Sequence, residues 1–258
     1  MPIVQVNDKQ ISYWTGRSGF SKERETVVFV HGAGGGQFIW SSQKAFFERR
    51  YNTMIFDLPG HGESGRNGEE DVARYAEHVH LFLKSLGLKG VFLVGHSMGG
   101  AIIQLMALDF PEEIKGIILV GTGAKLKVLT AILNGIKNSF EETVRKITRF
   151  AYSRKTPPDL IEKGISDLLR CKPEVLYDDF LACDRFDITS KVGNIDLPTL
   201  ILCGEEDELT PVKYSEFLHE KIGGSRLEIF PNAGHMVMIE SPDAFNEKIH
   251  QFISDGRM

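Results

Sequence analysis

Six short runs of apolar, β-favouring residues punctuate the chain, at 27–30, 53–56, 91–94, 116–120, 199–202 and 227–230. Most are apolar at every position, as in Val27-Val28-Phe29-Val30, and do not alternate with polar residues. A strand reads this way when both of its faces are buried, which is the condition inside a parallel sheet. Helical patterns lie between the runs. Val72, Tyr75, Val79, Leu83 and Leu86 recur at helical spacing, and Gly87 supplies a C-terminal stop. The segment 98–110 is apolar on nearly all sides and ends before Pro111, so it predicts a buried helix. Strands alternating with helices predict a doubly wound α/β fold with a mostly parallel sheet. The opening segment, 4–16, alternates around Asn7-Asp8-Lys9 and predicts an antiparallel hairpin on the sheet edge.

The rhythm breaks between 122 and 190. Four helical segments follow one another there with no strand between them, at 128–140, 141–152, 158–170 and 173–184. Pro157-Pro158 and Pro173 punctuate them, and sheet topology resumes at Pro198. The chain thus divides into a core, 1–121 with 191–258, and a helical insertion after the sixth strand, 122–190. An insertion at the carboxyl end of a parallel strand lies over the place where open α/β sheets bind ligands, so it reads as a lid. Extra helices packed on the flank of the sheet are the alternative.

Composition narrows the class. A chain of 258 residues with 42% hydrophobic and 25% charged residues is an ordinary globular protein. A net charge of −5 argues against a general nucleic-acid binder. The start has neither the cationic end nor the apolar run of a signal peptide, and no apolar stretch reaches the ~18 residues of a membrane span. Cys171, Cys183 and Cys203 lie far apart and are odd in number, which suits inert thiols in a reducing cytoplasm and neither a disulfide framework nor a zinc site.

The sharpest motif is Gly95-His96-Ser97-Met98-Gly99, between a buried strand and a buried helix. A strand turning sharply into a helix exposes the middle side chain, and flanking glycines let the backbones pass. A tight turn with a capping serine is the plainer explanation. A serine nucleophile needs a base and an orienting carboxylate, in the chain order Ser, acid, His. Two later strand ends carry them: the acidic loop Glu205-Glu206-Asp207-Glu208, and Gly234-His235. Both fall on the same sheet edge as Ser97. An oxyanion hole needs two N–H donors, one of them from Met98 at the start of its helix. The loop after 27–30 supplies the other.

Several independent motifs make the chain resemble the α/β-hydrolase superfamily, in its branch of small esterases and lactonases with a helical cap. His31-Gly32-Ala33-Gly34-Gly35 resembles that family's HGxGG oxyanion loop. Asp57-Leu58-Pro59-Gly60-His61-Gly62-Glu63-Ser64 resembles its D-x-x-G-x-G-x-S turn. Gly204-Glu205-Glu206-Asp207 resembles its G-x-x-D acid loop, and Gly234-His235 with Glu240 and Pro242 its histidine segment. The resemblance implies Ser97 as nucleophile, His235 as base, Asp207 as the acid, and Ala33 beside Met98 in the oxyanion hole. His31, Gly32 and Gly34 would shape the supporting loop. Serine at 97 argues against the dehalogenase and epoxide-hydrolase branches, which use aspartate there. The implied activity is hydrolysis of a small or medium carboxylic ester through an acyl-enzyme, without metal or organic cofactor. Carbon–carbon bond hydrolases, enol-lactonases and perhydrolases share the triad and stay open, as does a slow-turnover ligand receptor on the same fold.

Other signals are weaker. The run Gly32 to Gln37 lacks the helix-opening glycine of a dinucleotide site. His78 and His80 face different ways on a helix, His61 reads as a turn residue, and Trp14 and Trp40 as packing. From 125 to 155 eight basic residues stand against Glu141 and Glu142, a net +6 in a chain of −5. Arg145, Lys146 and Arg149 fall on one broad helical face. A solvated surface explains such a run. An anionic substrate or an acidic carrier-linked acyl group would also be drawn to it, and esterases that cut the methyl ester of a pimeloyl-carrier protein are similar to this chain in fold.

Overall fold

The computed structural model describes residues 1–7, 9–16, 19–65 and 67–256. Eight strands form one sheet: β1 (Ile3–Val6), β2 (Lys9–Thr15), β3 (Thr26–Val30), β4 (Asn52–Phe56), β5 (Val91–His96), β6 (Ile114–Val120), β7 (Thr199–Gly204) and β8 (Arg226–Phe230). Their order is β1-β2-β4-β3-β5-β6-β7-β8. β1 and β2 pair antiparallel, β2 pairs antiparallel with β4, and every other pairing is parallel. The expected edge hairpin is therefore present. Of its turn, Asn7 takes a left-handed backbone with φ 51°, while Asp8 lies outside the described residues.

Continuous apolar strands are explained by two cores, one on each face. Val28 and Val30 of β3, Leu93 of β5, and Ile117 and Leu119 of β6 point into one core, where α2 (Val72–Ser85), α3 (Met98–Asp109) and α8 (Val212–Lys221) cover them. Their neighbours Val27, Phe29, Phe92, Val94, Ile118 and Val120 point into the other, under α1 (Ser41–Phe47), α9 (Val237–Glu240) and α10 (Pro242–Asp255). Trp40 is fully buried in that second core against Phe29. Each buried aliphatic or aromatic side chain contributes about 1.5–3 kcal/mol, so both faces are strongly held.

Four helices follow one another between β6 and β7: α4 (Thr130–Asn138), α5 (Phe140–Ala151), α6 (Pro158–Leu168) and α7 (Pro173–Arg185). Pro158 and Pro173 occupy the first helical positions, where a missing N–H costs nothing. The helices bury a small core of their own around Ile136, Val144, Ile165 and Leu176. These four helices, the cap, share the lining of one cavity with Ser97 and His235. Among the described residues no helix is long and apolar enough to cross a membrane.

Close passage of α3 over β3 depends on Gly99. A methyl there would collide with the Val30 carbonyl and lie 2.6 Å from that of His31. Gly99→Ala is expected to lower the unfolding free energy by about 3 kcal/mol in urea denaturation. Gly223→Ala, where a methyl meets nothing within 4 Å, should shift it by less than about 1 kcal/mol. Equal effects would mean that the α3–β3 approach is not tight.

Candidate active site

The chain leaves β5 and enters α3 through a single residue, Ser97, at φ 54° and ψ −117°. Such a backbone costs a non-glycine residue about 1–3 kcal/mol unless its surroundings enforce it. They do so from three sides. The Ser97 N–H donates to the Val120 carbonyl at 2.9 Å. The Ser97 carbonyl accepts from the Gly100 N–H at 2.9 Å, and from the Thr122 hydroxyl at 2.8 Å. Gly95 must be glycine because a methyl there would run into the Gly99 backbone, 2.6 Å from its carbonyl carbon.

His235 and Asp207 come from the loops after β8 and β7. His235 Nδ1 lies 2.8 Å from Asp207 Oδ2, and both side chains are buried. The other carboxylate oxygen accepts the N–H groups of Leu209 at 2.9 Å and Thr210 at 2.8 Å, while the Thr210 hydroxyl donates to Oδ2 at 2.8 Å. Burial alone would raise the Asp207 pKa. The neighbouring His235 and these donors outweigh it and hold the carboxyl below its usual range. An ionised Asp207 keeps the His235 proton on Nδ1 and leaves Nε2 free to accept. Gly121 makes room for the pair: it takes φ 51°, and a methyl there would stand 3.2 Å from His235 Nδ1 and 3.3 Å from Asp207 Oδ2. Of the neighbouring acids, Glu206 accepts the Arg154 N–H at 3.0 Å, while Glu205 and Glu208 are exposed.

Ala33 and Met98 flank Ser97 from the loop after β3 and from the first turn of α3. Among the described residues no protein acceptor engages either N–H. Gly32 passes so close to Ser97 that a methyl would lie 2.9 Å from its Cβ. His31 braces the loop: its Nδ1–H donates to the Gly32 carbonyl at 2.8 Å, and its Nε2 accepts the Leu58 N–H at 2.9 Å. Asp57 ties the 57–64 turn to the same loop by accepting both the backbone N–H and the side-chain amide of Gln37, at 2.8 and 2.9 Å.

Ser97, His235 and the 32–35 loop open into one cavity of about 740 Å³, roofed by the cap. Ser97, His235 and Ala33 line its floor, and Ile132, Ile147, Leu168 and Phe180 line its roof. The three basic residues expected on one lid face are not equivalent. Lys146 lines the cavity and has no ion pair among the described residues. Arg145 does not line it: α6 packs beside α5 and brings Glu162 to 3.2 Å, and Glu141 lies at 3.0 Å. Arg149 is exposed and lies outside the lining. The face expected from the sequence is thus split: helix packing supplies Arg145 with a second acid that sequence neighbours do not reveal, and of the three only Lys146 lines the cavity.

The model of the alpha/beta hydrolase family matches residues 27–248. The chain belongs to that family. It is 28% identical to a 2-hydroxy-6-oxononadienedioate/2-hydroxy-6-oxononatrienedioate hydrolase of Comamonas testosteroni, over 98% of this chain and 96% of that protein. Identity is also 28% to 3-oxoadipate enol-lactonase 2 of Acinetobacter baylyi, over 88% of each. Among solved structures, one of a thermophilic esterase is 35% identical and superposes with a TM-score of 0.86, covering 99% of this chain and 97% of that one.

Beyond its triad, this α/β hydrolase carries polar groups whose contacts the sequence does not reveal. Asp179 of α7 is fully buried and reaches the 31–36 loop, where it accepts the Gly34 N–H at 2.8 Å. His61, expected as a turn residue, lies 2.7 Å from the same carboxylate. No local pattern marks Asp179. Glu240 bonds the cap to the histidine loop, accepting the Ser153 N–H through one oxygen and the Gly234 N–H through the other, both at 2.8 Å.

Two imidazoles of this hydrolase are held neutral. Burial lowers His96 to about 3, and its Nε2–H donates to the His235 carbonyl at 3.1 Å. Burial, with His61 nearby, pushes His31 well below 6.5. Below pH 6.5 the unfolded chain protonates both rings and the folded chain does not. Stability is therefore full above 6.5 and declines as pH falls, by about 1.4 kcal/mol per pH unit for each ring. His61, whose pKa is raised, is protonated in both states there and adds no slope. His96→Asn should remove about half of the decline measured by urea titration between about pH 6 and pH 5. An unchanged slope would mean that the folded protein already accepts a proton on His96.

Proposed function

We propose that the protein is a carboxylic ester hydrolase working through an acyl-enzyme on Ser97. The observation that carries this reading is the Asp207–His235 pair at 2.8 Å, opening into the same cavity as a serine at φ 54°. Ser97 Oγ attacks the ester carbonyl as His235 Nε2 takes its proton. The Ala33 and Met98 N–H groups receive the oxyanion, each worth about 3 kcal/mol in the transition state. His235 then returns the proton to the leaving alcohol, and the same base activates the water that releases the acid. Asp207 stays ionised throughout and stabilises the imidazolium. The thermophilic esterase at 35% identity supports ester chemistry, and the apolar roof supports a small or medium acyl chain.

The relative named for a dienedioate supports a second reading, hydrolysis of a carboxylated oxo-diene with the same triad. Both readings are compatible with an anionic end near Lys146, such as a carboxylate or a carrier-linked acyl group. Sustained turnover of a simple aryl ester would set aside a receptor role.

A fluorophosphonate probe should label Ser97 alone, and Ser97→Ala should cost on the order of 10⁶ in rate. Asp207→Asn should lose roughly 10⁴-fold, with Glu206→Gln mild. A crippling Glu206→Gln would reassign the acid. For charge, Lys146→Glu should lower kcat/KM for a carboxylated ester roughly three- to tenfold at low salt, while Arg145→Glu and neutral esters change little. A loss shared equally by neutral esters would remove Lys146 from substrate recognition.

A further inference from the structure

Asp179 does not line the cavity, and it sits fully buried, where a carboxylate is expensive to place. Its Oδ1 accepts the Tyr75 hydroxyl of α2 at 2.6 Å. Its Oδ2 accepts two donors: His61 Nε2–H at 2.7 Å and the Gly34 N–H at 2.8 Å. His61 is itself buried, and its Nδ1 faces the Pro59 carbonyl at 3.0 Å. Both ring nitrogens therefore face oxygen acceptors, which requires a proton on each and makes the ring a cation. Burial opposes that charge, but Asp179 at its side prevails and raises the His61 pKa. The result is a cap carboxylate and a core imidazolium, both out of water, meeting at one backbone N–H of the 31–36 loop. A neutral amide at 179 would satisfy that N–H as well. The ion pair instead makes the bond charge-assisted and therefore shorter and more directional.

Gly34 is pressed by the cap in a second way. It takes φ 63°, and the space where a methyl would lie is filled by Leu168 and Leu176 of α6 and α7. Its peptide plane shares the Ala33 Cα with the plane that carries the Ala33 N–H. Rotating one re-aims the other. On the other side the Gly35 N–H closes a turn onto the Gly32 carbonyl at 3.0 Å, so the loop is held at both ends of Ala33.

We propose that Asp179 is a positioning residue: the cap carboxylate, seated on His61 and Tyr75, fixes the Gly34 peptide and so aims the Ala33 N–H, and the oxyanion hole is complete only when α7 is docked. The inference rests on the ester-hydrolase reading of Ser97 and Ala33. It differs from a wall-of-the-pocket role, because a wall changes the binding of substrate and transition state alike, whereas a re-aimed donor is felt where negative charge develops.

The experiment measures two inhibitors of matched shape on the full-length protein: a trifluoromethyl ketone, which Ser97 converts to an oxyanion-bearing adduct, and the corresponding secondary alcohol, which cannot form one. Asp179→Asn should weaken the ketone and lower kcat/KM together by roughly 10- to 100-fold, with KM and alcohol affinity moving less than about threefold. His61→Gln, which keeps a donor toward Asp179 but loses the cation, should move the ketone in the same direction by a smaller factor, and it decides the matter if Asp179→Asn does not fold. Unchanged ketone affinity in the variants, or an equal loss of ketone and alcohol, overturns the positioning role. A wild-type protein that binds the ketone no better than the alcohol, or a Ser97→Ala variant that binds it equally well, would instead remove the underlying serine-hydrolase reading.

Discussion

Much of the molecule can be understood as what is needed to hold Ser97 at φ 54°. Left alone, a serine would relax to a commoner conformation and the turn between β5 and α3 would open. It is prevented because the N–H and the carbonyl of Ser97 are both bonded to the β6 end, at Val120 and Thr122. The helix that follows must then start hard against β3, which is why position 99 has no room for a methyl. Packing on both faces of the sheet fixes β3, β5 and β6 relative to one another. Strain at one residue is thus supported by the two cores, a local cost carried by a large apolar interior.

The second organising feature is how four buried imidazoles around the site are told apart. His31 and His96 face one carbonyl acceptor each, in places with no carboxylate in hydrogen-bond contact, and stay neutral. His61 faces two oxygen acceptors, one of them charged, and is a cation. His235 faces one carboxylate through Nδ1 and keeps its other nitrogen for the cavity. Identical side chains acquire three electrostatic roles from burial and from the acceptors they meet.

The sheet was legible in the sequence because burial on both faces leaves its mark on successive residues of a strand, and the runs 27–30, 91–94 and 116–120 carry that mark throughout. The site was legible where chemistry repeats a local pattern, as in Gly95 to Gly99 or Gly234-His235. Asp207 stands among three other acids, and only its motif distinguishes it in the sequence. Asp179 has no such pattern. It sits beside Asp178 on a cap helix, and its meaning comes from residues 104, 118 and 145 positions away that meet only in the folded chain. The pairing of Arg145 is hidden for the same reason: besides Glu141 one turn away, Glu162 arrives by helix packing and not by sequence proximity.

Polar attachments of the cap, such as Asp179 on the 31–36 loop, Glu240 on the Ser153 N–H and the Met236 N–H on the Ala151 carbonyl, hold its helices unequally. Among the described residues α4 makes no hydrogen bond to the sheet layer. It rests on α5 and α7 through side chains such as Ile136 and Val144. Next to it Leu129 and Phe150 stand 72% and 41% exposed while also lining the cavity. Contacts between apolar side chains have no preferred direction, so loosening this border would cost contact area and few hydrogen bonds, while the hydrogen-bonded border keeps the loops around Ser97 in register.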